Sequence, residues 1–286
     1  MEANDIVTKN FESYADVAAD IVNALLHEGI QEIGSADLLA SPTESLYSDE
    51  ENRLHNQLED VAKYHMTGGV PKAMYLFANQ TRVDKGMLLR KAGYIGGEYR
   101  RQYEKQNQGV YPVIQLVLYW GSSRWKGADD LRGLIDTGER KLAETTWKYV
   151  DNIRLHVWEM RYLAREVRER FQSDMRIVLD YLAEGNAYRS DRKVIHKEAT
   201  IKMLRVLSGD KNVDDTEEIL KGLNITEEDE ISMCELFDQY TRRGISRGII
   251  IMCKDFNATY EDTLQKLKNK LNISEKEAEE QMKLYW

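Results

Sequence analysis

Cysteine is almost missing from this chain of 286 residues: only Cys234 and Cys253 are present, with no histidine close to either. That scarcity argues against a zinc site and leaves free thiols in a reducing cytoplasm as the expectation. Histidine is scarce as well, and the five (His27, His55, His65, His156 and His196) are scattered, so no histidine-centred chemistry is expected. Long apolar runs are missing. The longest, Val113 to Trp120, is interrupted by Gln115 and falls far short of the roughly 20 residues that a membrane span needs. The opening MEANDIVTKNFE is too acidic and too polar for a signal peptide. A cytoplasmic protein with no membrane partner is the expectation. Excess positive charge is also lacking: the net charge of −9 excludes a protein that coats nucleic acid through bulk charge.

What is present is ample material for a core, 42% hydrophobic against 31% charged residues, in a chain long enough for one large domain or two smaller ones. The charge is uneven. Between Arg82 and Lys105 stand seven basic residues against three acidic ones. A local excess of this kind suits phosphate binding on one face, and it equally suits a solvated helix face.

Periodicity predicts a helix from Asn10 to His27, with apolar residues at Phe11, Tyr14, Ala18, Ile21, Val22 and Leu25 and an end at Gly29. Asp16, Asp20 and Asn23 follow one another along one side of it. The Ser-, Asp- and Glu-rich stretch 33–53 reads as a loop. Leu54 to Tyr64 fits helix or strand, and the Gly-Gly turn after Met66 tips 58–65 toward the first strand of a hairpin. Its partner is Ala73 to Phe77, a short apolar run that ends on Ala78, Asn79 and Gln80. Met87 to Gln106 reads as a helix and Val110 to Tyr119 as a buried strand. Beyond Asp129 the pattern is helical nearly throughout: 139–153, 156–170, 174–182, 196–207 and 226–240. The Gly-Ile steps around Gly244 and Gly248 place two glycines on one helix face, where a second helix could approach closely, or else mark a frayed helix.

Several of these segments together, "ADVAADIVNALLHEG", "LEDV", "LFANQTRVDKGMLLRKAGY", "YPVIQLVLYWGSSRW" and "FQSDMRIVLDYL", resemble the Rpn family of recombination-promoting nucleases, also labelled transposases, of the PD-(D/E)XK superfamily. The resemblance runs with gaps from about residue 10 to residue 250. It is most specific at 77–94, where Asn79, Gln80, Thr81, Met87, Arg90 and Tyr94 match the family pattern. It implies an α/β fold: a PD-(D/E)XK (restriction-endonuclease-like) core with a central mixed sheet flanked by helices over 1–185. A helical C-terminal region over 186–286 follows, serving as an oligomerisation tail. Ala78 stands where the pattern has its catalytic Glu.

The activity implied is metal-dependent hydrolysis of DNA, in which Mg²⁺ (or Mn²⁺) activates water and neutralises charge on the phosphate. The resemblance assigns the first metal carboxylate to Asp60, the second to position 78 (now Ala78) and a third ligand to the Asn79 carbonyl. Gln80 would orient the water, Asp16 would assist through a metal-bound water, and Arg82, Lys85, Arg90 and Arg100 would face the DNA. A homodimer is expected, from the glycine-spaced helix and the need to cut two strands. Two readings of Ala78 stay open, an inactivated nuclease and a natural pseudonuclease that binds DNA or a partner without cutting.

Overall fold

A computed structural model describes residues 3–41, 44–48, 54–58, 60–104, 109–135, 142–209 and 216–286. The chain divides into two compact units, Met1–Tyr188 with Met203–Lys211, and Arg189–Lys202 with Asn212–Trp286. No helix among the described residues is long and apolar enough to cross a membrane.

The first unit opens with α1 (Ala3–Ser13) and α2 (Ala15–Leu26), not one helix. Tyr14 is extended (φ −61°, ψ 130°), and the Ser13 hydroxyl donates back to the Asn10 carbonyl at 2.7 Å. The apolar periodicity runs across the break because Phe11, Val17, Ile21 and Val22 are all buried beside it. Gly29 takes φ +91°, and a Cβ there would stand 3.0 Å from the Arg170 Cβ, so the chain leaves α2 through a position built for glycine. Asn23 is fully buried and pins the exit: its side chain donates to the Ile33 carbonyl and accepts from the Ile33 N–H.

The sheet strands are β1 (Leu38–Ala40), then after a separate antiparallel pair β2 (Glu44–Ser48) and β3 (Leu54–Leu58), β4 (Val61–Thr67), β5 (Val70–Gln80), β6 (Val113–Tyr119) and β7 (Val157–Glu159). Their order is β1-β4-β5-β6-β7; β1, β4 and β5 run antiparallel and β5, β6 and β7 parallel, a mixed α/β sheet. The stretch 33–53, expected as loop, therefore holds β1 and β2. Leu54–Leu58 is a strand distinct from β4. The hairpin is as expected from the Gly-Gly step: Thr67 pairs with Val70, and Gly68 and Gly69 have φ +59° and +83°, the positive pair a two-residue turn needs.

Helix α3 (Met87–Glu104) covers one face of the sheet, packing Tyr94 with Ala62, Met74, Leu76, Tyr111 and Val113. The expected ends at Lys105 and Gln106 lie outside the described residues. After β6 come α4 (Leu131–Leu134), α5 (Glu144–Trp147), β7, α6 (Arg165–Arg168) and α7 (Met175–Glu184). Two of the expected helices are thus corrected. The described part of 139–153 has a single turn of helix, and 156–170 is a short strand, a 3-10 turn and a short helix. The hydrogen bond from the Val117 N–H to the His156 carbonyl recruits β7 as a parallel edge strand, which no local pattern announces.

Asp20, which the pattern allowed to be a surface charge, is buried. Its carboxylate accepts from the Gln172 N–H (3.0 Å), the Ser173 N–H (2.8 Å) and the Ser173 hydroxyl (2.6 Å), just ahead of α7. Asp20→Ala strands three donors and is expected to cost about 2 kcal/mol, read from the urea midpoint at unchanged m-value. A loss under about 0.5 kcal/mol would show that water replaces the carboxylate freely.

The second unit is helical. Beyond the first part of α8 (Lys197–Leu207) it holds α9 (Thr216–Gly222), α10 (Met233–Asp255), α11 (Tyr260–Leu271) and α12 (Glu275–Tyr285). Ile250, Leu267, Ala278 and Met282 form its core, and Ser232–Glu235 and Ser274–Glu277 capping boxes start α10 and α12. Helix α10 begins at Met233, after its Ser232 cap, and not near Thr226. It runs unbroken through Gly244 and Gly248, and among the described residues nothing outside the helix's own backbone stands within 4 Å of a Cβ at either glycine.

Candidate active site

The end of β5 is where the expected site residues gather, and alternation along the strand divides them. Ala78 is 1% exposed and packs with Met87, Leu88, Val117 and Leu155 on the α3 side. Trp125, Ala128 and Val157 close round the same cluster. Asn79 points the other way, toward α1. Gln80 is half-buried, and its carbonyl accepts from the Trp120 N–H at 2.8 Å.

Asp60 lies one residue before the last β4–β5 pairing, Val61 with Phe77. Its Oδ2 accepts the Asn79 backbone N–H at 2.5 Å, and its Oδ1 lies 3.0 Å from the Lys9 ammonium. The Asn79 side chain is a hub. It donates to Glu12 Oε2 at 2.6 Å and accepts from the Trp120 indole N–H at 2.7 Å.

Glu12 is the residue that sequence reasoning missed. It is fully buried, and its other oxygen, Oε1, has no hydrogen-bond partner among the described residues. Burial, above all, pushes its carboxyl well above the usual glutamate range; the Asn79 amide opposes the rise and the charge of Asp60 adds to it. Asp16, the acid expected to assist, sits half-buried in the first turn of α2, and the acid that joins Asp60 around Asn79 is Glu12 of α1. No motif marks Glu12; the only signal is its place one turn after Lys9 on a helix with an apolar face.

The expected basic face separates into used and free cations. Arg90 is tied to Asp84 at 3.0 Å and to the Tyr94 hydroxyl at 3.3 Å. Lys91 is buried and donates to the Arg154 carbonyl, and Arg101 pairs with Glu98 at 2.7 Å. Arg82 and Lys85, on the loop from β5 to α3, are exposed with no ion pair among the described residues. Arg100 is exposed too, but thirteen residues beyond Met87 along α3 puts it about 20 Å from that loop. The structure supplies a different neighbour. A Cβ at Gly127 would lie 3.0 Å from Val83 Cγ1, so the loop after β6 rests on the loop after β5 and brings exposed Lys126 to the same rim. This rim is formed by the carboxyl ends of two adjacent parallel strands, the usual place for a ligand on such a sheet.

A family model described as "Putative transposase, YhgA-like" matches residues 2–188, and the chain belongs to that family. Comparison with curated proteins and with solved structures finds no match.

Proposed function

We propose that this chain is a DNA-binding protein on a PD-(D/E)XK-type nuclease core whose catalytic position no longer works. The family description ties it to DNA. The observation that carries the rest is the surroundings of Ala78. A nuclease that has merely had its glutamate shortened would keep a polar, wettable gap at that position. Here apolar side chains from α3, β6 and the segment before β7 enclose the methyl, as expected of a site that has adapted to the loss. This favours the pseudonuclease reading over the inactivated nuclease.

The residues present do not fit the Mg²⁺ (or Mn²⁺) site that the resemblance implies. The side chain at position 78 offers no oxygen, both Asp60 oxygens are engaged, and no group of three His, Cys, Asp or Glu suited to a metal occurs among the described residues. A hard divalent cation needs several oxygen ligands around one point, and the end of β5 does not supply them. What the rim can do is hold a phosphate backbone with Arg82, Lys85 and Lys126.

Three such contacts predict that log K for a DNA duplex falls with log[salt] at a slope of about −2.7. The triple variant Arg82→Glu, Lys85→Glu, Lys126→Glu should bind at least tenfold more weakly, while Arg100→Glu alone changes little. Fluorescence anisotropy across a salt series reads both, and a gel with supercoiled plasmid in Mg²⁺ and Mn²⁺ should show no nicking. Cleavage by the unaltered chain, or affinity indifferent to the triple change, would overturn the proposal.

A further inference from the structure

We infer that the Lys9 ammonium occupies the place of a divalent cation at Asp60, so that this carboxylate belongs to a permanent internal ion pair. The inference deepens the nuclease-core reading and rests on it. Lys9 and Glu12 are one turn apart on α1 and share the helix side that meets the end of the sheet. The ammonium stands 3.0 Å from Asp60 Oδ1, while Oδ2 takes the Asn79 N–H at 2.5 Å, so each oxygen has its own positive or donor partner. Both side chains are largely buried, 25% and 18% exposed, so the pair is held in place by the fold.

The rest of the cluster shows what the ammonium replaces. Glu12 has one oxygen on the Asn79 amide at 2.6 Å and the other buried with no hydrogen-bond partner among the described residues, while the remaining expected position carries only the Ala78 methyl. Two carboxyl groups joined through one asparagine are a fragment of an oxygen-ligand site, and the Lys9 charge compensates the one it touches, Asp60. An ammonium is a compact point charge on a flexible stem, able to serve one carboxylate with no ion drawn from solution.

The test uses the full chain and Mn²⁺ alone as probe, followed by electron paramagnetic resonance of the free ion and by thermal unfolding. The unaltered chain should leave Mn²⁺ free and should melt at the same temperature in chelator and in about 10 mM Mn²⁺. Lys9→Met keeps the stem and removes the charge. It should bind Mn²⁺ at least tenfold more tightly than the parent and regain in Mn²⁺ the melting temperature it loses in chelator. Adding Asp60→Asn should abolish that gain, and Lys9→Arg, which keeps the charge, should behave as the parent does. Mn²⁺ binding by the unaltered chain that Asp60→Asn removes would overturn the inference, and this measurement needs no variant of Lys9 to fold. A folded Lys9→Met with no gain in Mn²⁺ affinity would overturn it equally. Anisotropy with duplex DNA on the same unaltered chain tests the DNA-binding reading separately, since loss of DNA binding leaves the Mn²⁺ result intact.

Discussion

Ala78→Glu should lower stability by about 3–5 kcal/mol and leave plasmid DNA uncut in Mg²⁺ and Mn²⁺. By family pattern alone, the same substitution completes a metal site. The packing reverses that expectation. The methyl is 1% exposed among Met87, Leu88, Val117 and Leu155, so a glutamate must push four further heavy atoms, three of them a carboxyl group, into a filled apolar cluster. Overpacking alone costs about 1–3 kcal/mol, and the unpartnered carboxyl adds the loss of its hydration. Urea unfolding at pH 7 measures the first effect and a nicking gel the second. A variant as stable as the parent that nicks DNA in Mg²⁺, and stops when Asp60→Ala is added, would restore the inactivated-nuclease reading.

Glu12 should make the fold progressively less stable as pH rises from the acid side. Its carboxyl titrates higher in the folded chain than in the unfolded chain, chiefly because it is buried. Above the usual glutamate range the unfolded chain gives up a proton that the folded chain still holds. The contribution is fully present below that range and is lost as pH climbs through the folded value, at up to about 1.4 kcal/mol per pH unit. Glu12→Gln keeps an oxygen for the Asn79 amide and has no proton to lose. The variant should match the parent below the usual glutamate range and gain on it as pH rises above that range, in urea midpoints taken at each pH. Parallel profiles for the two proteins would mean that Glu12 is solvated, contrary to its burial.

What could be read beforehand follows from how local each signal is. The Gly-Gly hairpin, α3, β6, α7 and α8 each carry their pattern within a dozen or so neighbouring residues, and the structure has them close to where they were expected. The exit at Gly29 is local in the same way. The break at Tyr14 escaped because the apolar stripe continues through it, both helices burying that stripe. Strand β7 escaped because three residues, Val157–Glu159, owe their conformation to pairing with β6 and not to alternation. The site divides in the same manner. Asp60 and Asn79 could be located by motif, and the structure links them through a single hydrogen bond. Glu12 became part of the site only through an amide 67 positions away, and the cations at 90, 91 and 101 were already committed to Asp84, the Arg154 carbonyl and Glu98.

The Asp20 carboxylate and the amides it receives are 152 and 153 residues apart. At a synthesis rate of about 5–20 residues per second, the ribosome takes about 8–30 s to travel from one to the other. Throughout that interval α2, whose Val17, Ile21, Val22 and Leu25 are buried in the finished fold, has no α7 beside it, and Asp20 keeps its water. The newborn chain therefore carries a sticky N-terminal helix for much longer than a helix takes to form, about a microsecond or less. Stalled synthesis anywhere short of residue 173 should leave a product that a chaperone holds and a protease cuts within its first thirty residues, whereas a release point a little past 184 should give a protected N-terminus.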